Sequence, residues 1–157
     1  MIRKPIGNFE CESGKFVVSD PCYDMNVWCR GELENIKCGV WNAEIGIMNV
    51  EKRGNRVALL SVQHESYDID AEGDLTEHVA EFEVDVDSGQ AGIFDMKYYQ
   101  DGEDWYEQCC LITLSETYAG VISFGAVSSS GYGDGSYKCI YYTDTDDVVV
   151  KVIIQYI

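Results

Sequence analysis

The chain has 157 residues, 46% of them apolar, and sets 11 Lys and Arg against 28 Asp and Glu, for a formal net charge of −17. The charge is uneven: residues 1–56 are net neutral, whereas 65–107 hold 15 acidic residues and one lysine, net −14. Phosphate neutralisation needs clusters of Lys and Arg, so this composition argues against direct binding of DNA, RNA or an anionic membrane. The apolar fraction can fill a core, and the length fits one domain, 1–157.

The dominant period along the chain is two, the signature of strands. Residues 13–23 read as a strand ending in the turn Ser19-Asp20-Pro21, where an aspartate before proline is biased away from helix and its carboxylate accepts local backbone N–H groups. Either that turn is purely structural or Asp20 belongs to a site walled by Tyr23 and Trp28. Trp41, Ala43, Ile45 and Ile47 alternate with polar residues, and a second strand runs from Arg56 to His64. The Gly- and Asn-bearing turn at 51–55 makes the two a hairpin. The run Asp68-Ile69-Asp70-Ala71-Glu72-Gly73-Asp74-Leu75 imitates the first eight positions of an EF-hand loop, but position twelve is Val79 where a bidentate glutamate is needed. A solvated acidic loop is expected there, with at most weak calcium binding and otherwise no cofactor.

Phe82, Val84 and Val86 alternate with Glu81, Glu83, Asp85 and Asp87, predicting a strand with one buried face and a ladder of carboxylates on the other. Residues 87–95, Asp-Ser-Gly-Gln-Ala-Gly-Ile-Phe-Asp, follow directly. They read as a hairpin turn or as a polar recognition loop offering Asp87, Ser88, Gln90 and Asp95. Trp105, Cys109 and Ile112 fall at i, i+4, i+7, so one short helix is expected over about 103–115, with Asp101 or Asp104 as its N-cap. In Ser128–Tyr137 three glycines recur at every second position. They would leave a bare face if extended, or turn backbone N–H groups towards an anion if looped. Tyr137–Tyr142 and Val148–Ile157 form a final hairpin around the polar loop 143–147, with Val150, Val152, Ile154 and Tyr156 sharing a face. The sum is a mainly β fold, an antiparallel β-sandwich or barrel-like sheet with one short helix.

Seven cysteines without a CxxC pair, and no apolar run behind Arg3-Lys4 that would make an export signal, suggest reduced and mostly buried thiols in the cytoplasm. A zinc site from Cys22, Cys29, Cys38 and a histidine is the less favoured reading. GxSxG and HExxH are absent, and no catalytic residues are assigned; His64 and His78 have no supporting constellation.

The segments Ser19-Asp20-Pro21-Cys22-Tyr23, 87–95 and 129–137 together resemble a domain-of-unknown-function family of small proteins from bacteria and their phages. The resemblance spans most of the chain. It implies that the regions of Asp20, Gln90 and Asp134 belong to one site and that the chain comes from a phage or mobile element in a bacterial host cell; it brings no reaction or cofactor. Two functions follow as expectations. In the first, an acidic face of Asp70, Glu72, Asp74, Glu81, Glu83 and Asp85 docks non-enzymatically on a basic, nucleic-acid-binding protein surface, as an inhibitor of a host-defence or nucleic-acid enzyme. In the second, the three loops bind a small ligand such as a nucleotide signal or a sugar. Asp20, Asp87, Ser88, Gln90, Asp95, Ser130 and Asp134 would supply its polar contacts, and Tyr23, Trp28, Tyr132 and Tyr137 its stacking walls. The alternative to both is that the motifs are folding devices.

Overall fold

The computed structural model describes residues 1–23, 30–67, 74–99 and 103–157. Eleven strands form two antiparallel sheets among these residues. They are β1 (Ile2–Cys11), β2 (Phe16–Ser19), β3 (Gly31–Leu33), β4 (Gly39–Val50), β5 (Gly54–His64), β6 (Thr76–Val86), β7 (Gln90–Asp95), β8 (Ala119–Ile122), β9 (Gly125–Ser129), β10 (Gly135–Thr143) and β11 (Val149–Gln155). The larger sheet has the order β1-β4-β5-β11-β10-β6 and the smaller β3-β2-β7-β9-β8. The expected hairpins are present: β4 pairs with β5 around residues 51–53, and β10 with β11 around 144–148. β5 finds its second neighbour far along the chain, with Leu60 opposite Ile154.

The inner faces of the two sheets meet in one apolar core, which decides for a sandwich over a closed barrel. Trp41, Ile45, Leu60, Val62, Val152 and Ile154 come from the large sheet, and Phe16, Val18, Ala91 and Ile93 from the small one. The Trp41 ring meets Phe16 edge-on with centroids 5.0 Å apart, and its indole N–H donates to the Lys37 carbonyl at 2.8 Å. Each large side chain taken out of water in this way contributes about 1.5–3 kcal/mol. On one side the sandwich is closed, because Gly7 in a bulge of β1 admits Val121 of β8; a Cβ at Gly7 would lie 2.7 Å from Val121 Cγ2.

The helix α1 (Glu103–Thr113) makes a third layer over the outer face of the small sheet. Cys109 is fully buried against Val17, Phe94 and Val127, with Trp105 and Ile112 beside it, as their spacing requires. Helix and sheet approach closely because position 120 is glycine: a Cβ there would stand 2.8 Å from Ile112 Cγ2. Asp104 lies inside the first turn rather than at the cap, and Asp101 is outside the described residues. β7 is buried along its whole length because it is central in its sheet and covered on both faces, hence the run Ala91-Gly92-Ile93-Phe94 without polar alternation. No helix among the described residues is long and apolar enough to cross a membrane.

Phe94 carries the second core, with ring centroids of Tyr99, Trp105 and Phe124 at 5.5, 5.4 and 6.1 Å. Phe94→Ala is expected to lower unfolding free energy by about 3–5 kcal/mol. Leu114→Ala, at a residue 82% exposed, should stay within about 0.5 kcal/mol. Urea denaturation of both variants checks this.

Candidate functional site

The segment 87–89 is not a hairpin turn. β6 belongs to the large sheet and β7 to the small one, so these residues carry the chain across the sandwich. The Gly-rich segment 130–134 does the same between β9 and β10. Since β6 pairs with β10 and β7 with β9, the two crossings lie side by side at one end of the molecule.

Asp20, at the end of β2, fastens the first crossing. It is fully buried. Its Oδ2 accepts the N–H groups of Asp87 at 2.9 Å and Ser88 at 2.6 Å. Its Oδ1 accepts the Ser88 hydroxyl at 2.6 Å and the Cys22 N–H at 2.9 Å. A carboxylate offers about four acceptor positions, and all are taken. Asp134 fastens the second crossing to the first, its Oδ1 accepting the Gly89 N–H at 2.9 Å, while Ser130 N–H donates to the Gly89 carbonyl at 3.1 Å. The Gly133 carbonyl accepts the hydroxyls of Ser130 at 2.7 Å and Tyr137 at 2.6 Å. Positive φ at Gly131 (63°) and Gly133 (97°) makes this a loop rather than an extended bare face, and Gly131 is pressed so near the Val57 carbonyl that a Cβ would sit 2.7 Å away.

The structure thus brings Asp20, Tyr23, Asp87, Ser88, Ser130, Asp134 and Tyr137 together. The Tyr23 hydroxyl donates to Asp87 Oδ2 at 2.6 Å. It does not bring Gln90 and Asp95 to the same place. Gln90 is buried under the helix, where its amide meets Cys110 Sγ at 3.4 Å and its carbonyl accepts the Thr113 hydroxyl at 3.2 Å. Asp95 stands at the opposite end of β7, fully buried, accepting the Glu12 N–H at 2.8 Å, the Lys97 N–H at 3.1 Å and the Ser13 hydroxyl. Tyr132 leans away under the Arg53 guanidinium, 5.1 Å from its ring centroid. Trp28 lies outside the described residues, as do Asp70, Glu72 and Cys29. Two hollows open at the corner: a shallow depression of about 540 Å³ lined by Tyr23, Asp85, Asp87, Asp134 and Ser136, and one of about 280 Å³ between Ser88, Gly89, Ser130 and Gly131 and the side chains of Arg56 and Tyr118.

The thiol of Cys22 is pushed up to about 12 by loss of solvent around its sulfur and by the adjoining Asp20 and Asp87 carboxylates. Burial likewise raises Cys11, Cys109 and Cys139 to about 12. These three are buried, Cys110 is half-buried, and Cys22 and Cys38 are exposed, so the thiols are less uniformly interior than expected. Among the described residues no group of three or more His, Cys, Asp or Glu is placed to hold a metal ion. His64 is a structural histidine, its Nε2 2.9 Å from the Cys38 carbonyl and its Nδ1 accepting the Ser66 N–H at 3.0 Å.

Of the expected ladder, Glu81, Glu83 and Asp85 lie on β6, whereas Asp87 falls beyond the strand at the crossing, and Glu77 joins the row from the start of the strand. Glu77, Glu81 and Glu83 are exposed on the outer face of β6 with Asp85 partly so, and Asp74 is exposed just before the strand. The four ion pairs among the described residues are Arg3–Glu44, Lys15–Glu34, Arg30–Glu32 and Lys97–Glu12, so none neutralises the ladder.

A second feature was not singled out from the sequence. The inner face of the first half of β6 extends beyond the small sheet and floors an open cleft of about 400 Å³. His78 stacks on Tyr141 at 4.8 Å between centroids, and its Nε2 lies 2.9 Å from the Thr143 hydroxyl oxygen. Ala80 and Phe82 continue the floor, and Glu32, Glu34 and Asp147 stand on the rim. The even parity of His78, Ala80 and Phe82 was visible in the sequence; the approach of β3 and residues 34–35 was not, because it is a contact between sheets.

Comparison with family models, curated proteins and solved structures finds no match to this chain. The functional reading therefore rests on the geometry.

Two outcomes test the corner. Asp20→Asn replaces two acceptor oxygens by one and sets an amide N–H₂ against backbone donors. It should cost about 2–4 kcal/mol in urea denaturation, whereas Asp134→Asn, at an exposed residue, should cost under about 1 kcal/mol. In mass-spectrometric alkylation with iodoacetamide at pH 8, Cys22 should react about fiftyfold more slowly in the native protein than in the denatured chain, since a roughly thousandfold loss of thiolate is partly offset by the greater nucleophilicity of the thiolate that remains.

Proposed function

We propose that the chain is a non-enzymatic acidic binding protein whose β6 face docks on a basic protein surface, of the kind that otherwise holds nucleic acid. The observation that carries this reading is the ladder Glu77, Glu81, Glu83 and the partly exposed Asp85, on one face of one strand and outside every ion pair among the described residues. Carboxylates at alternate strand positions lie about 6.6–6.8 Å apart on one face. Their fields add, so a cationic surface is drawn in over a distance set by the salt concentration. Such charge governs the rate and orientation of encounter more than the final affinity. Occupying a nucleic-acid site in this way would make the chain an inhibitor of a host-defence or nucleic-acid enzyme, in keeping with a phage or mobile-element origin in a bacterial cytoplasm. The corner supports the same reading from the other side. The polar atoms of Asp20 and Ser88, and the N–H of Gly89, are used in holding the chain and are not offered to a small ligand.

Stopped-flow association with a 20-residue poly-lysine tests the location of the attraction. The triple variant Glu81→Gln, Glu83→Gln, Asp85→Asn should associate about 3–10-fold more slowly at ~50 mM salt and like the parent at ~500 mM. A control with the same charge change on the helix side, Asp104→Asn, Glu107→Gln, Glu116→Gln, should be much less affected. Equal effects of the two triples would sink the reading, because they would show net charge acting rather than a face.

A further inference from the structure

Among the described residues the large sheet ends in β6, which is paired on one side only, with β10. Among the described residues no backbone group bonds to its other side. An open strand edge presents a row of N–H and C=O groups that can template another chain. Proteins blunt such edges by making them short, charged or bulged. β3, at the edge of the small sheet, is short, with three residues. β6 is long, with eleven, and carries the other two devices: a register shift opposite Lys138–Ile140 and a glutamate or aspartate at nearly every outward position.

These devices are selective in what they repel. A second copy of β6 laid against the edge would set carboxylate against carboxylate, which is destabilising across a strand pair. A strand carrying lysine or arginine at alternate positions would set opposite charges at the same spacing, each pair favourable by a modest amount. The other alternate positions of an added strand would turn inward. There the floor of His78, Ala80 and Phe82 and the ring of Tyr141 form the cleft, with the acidic rim above it. On the outer face Val79, 59% exposed between Glu77 and Glu81, gives such a strand an apolar contact inside the ring of charge.

We infer that the partner is engaged by strand addition: a basic, extended segment of another protein pairs with the free edge of β6, placing its cationic side chains over the Glu77–Asp85 ladder and the alternate side chains in the cleft floored by His78 and Phe82. This rests on the acidic-face reading above and adds a backbone mode of recognition to it. Main-chain hydrogen bonds then supply affinity, and the alternating faces supply selection.

The test uses the whole chain and a nine-residue peptide of alternating lysine and threonine, set beside the same peptide N-methylated at the amides that would face β6. The methylated peptide keeps its charge and length but cannot donate. Binding is followed by calorimetry at ~50 mM salt, with amide hydrogen exchange read residue by residue. Strand addition requires the parent peptide to slow exchange within residues 77–83 and the methylated one to bind about tenfold or more weakly, as loss of a few hydrogen bonds predicts. If both peptides bind equally and no β6 amide is protected, strand addition is overturned while the acidic face stands. If neither peptide binds, both readings fall.

Discussion

A buried carboxylate holds the end of this molecule together. The chain passes from one sheet to the other at residues 87–89, and a crossing of that kind turns backbone donors away from any strand partner. Unmet donors in the interior cost about 1–3 kcal/mol each. Asp20 meets two of them and the Ser88 hydroxyl, from a strand more than sixty residues earlier in the chain. Once the first crossing is fixed, Gly89 presents its N–H to Asp134 and its carbonyl to Ser130, and the second crossing is fixed by the first. The pairings of β6 with β10 and β7 with β9 then continue from a common corner.

The elements were legible from sequence where one residue type repeats against solvent. The alternation in 41–47, 82–86 and 148–156 marks strands with one wet face, and Trp105, Cys109 and Ile112 mark a helix lying on a surface. Legibility failed where a segment changes sheets. Residues 87–89 carry turn chemistry identical to that of a hairpin, and only the strand order reveals that the flanking strands never pair. The candidate site divided on the same line. Asp20, Ser88 and Asp134 converge because their motifs sit at crossings, which the clustering of polar and glycine residues signals. Gln90 and Asp95 share that segment but stand where β7 has carried them, one beneath the helix and the other at the far end of the strand.

The corner and the β6 edge divide the labour of the polar residues. At the corner, carboxylates face inward and are answered by the chain's own N–H and O–H groups. Along β6, carboxylates face outward and stand outside every ion pair among the described residues, although the Tyr142 hydroxyl donates to Glu77 at 2.7 Å. The boundary is abrupt: Val86 is buried, Asp87 bonds Tyr23, and Asp85 shares its Oδ1 with Ser136 at 2.5 Å. A charge array without ion pairs among the described residues thus lies beside a saturated hydrogen-bond knot.

The pairing of β5 with β11 sets a schedule as well as a shape. Leu60 meets Ile154 only after the intervening residues exist, and at a ribosomal pace of about 5–20 residues per second the inner edge of β5 waits for roughly 5–20 s. Through that interval Leu59, Leu60 and Val62 stand on an open strand, a state in which β chains readily join their neighbours. The next stretch to emerge, 65–107, is the most acidic in the chain. A nascent chain that has reached residue 107 therefore already carries −14 of the final −17 while the sheet is still incomplete, so copies repel one another before β11 arrives to cover β5.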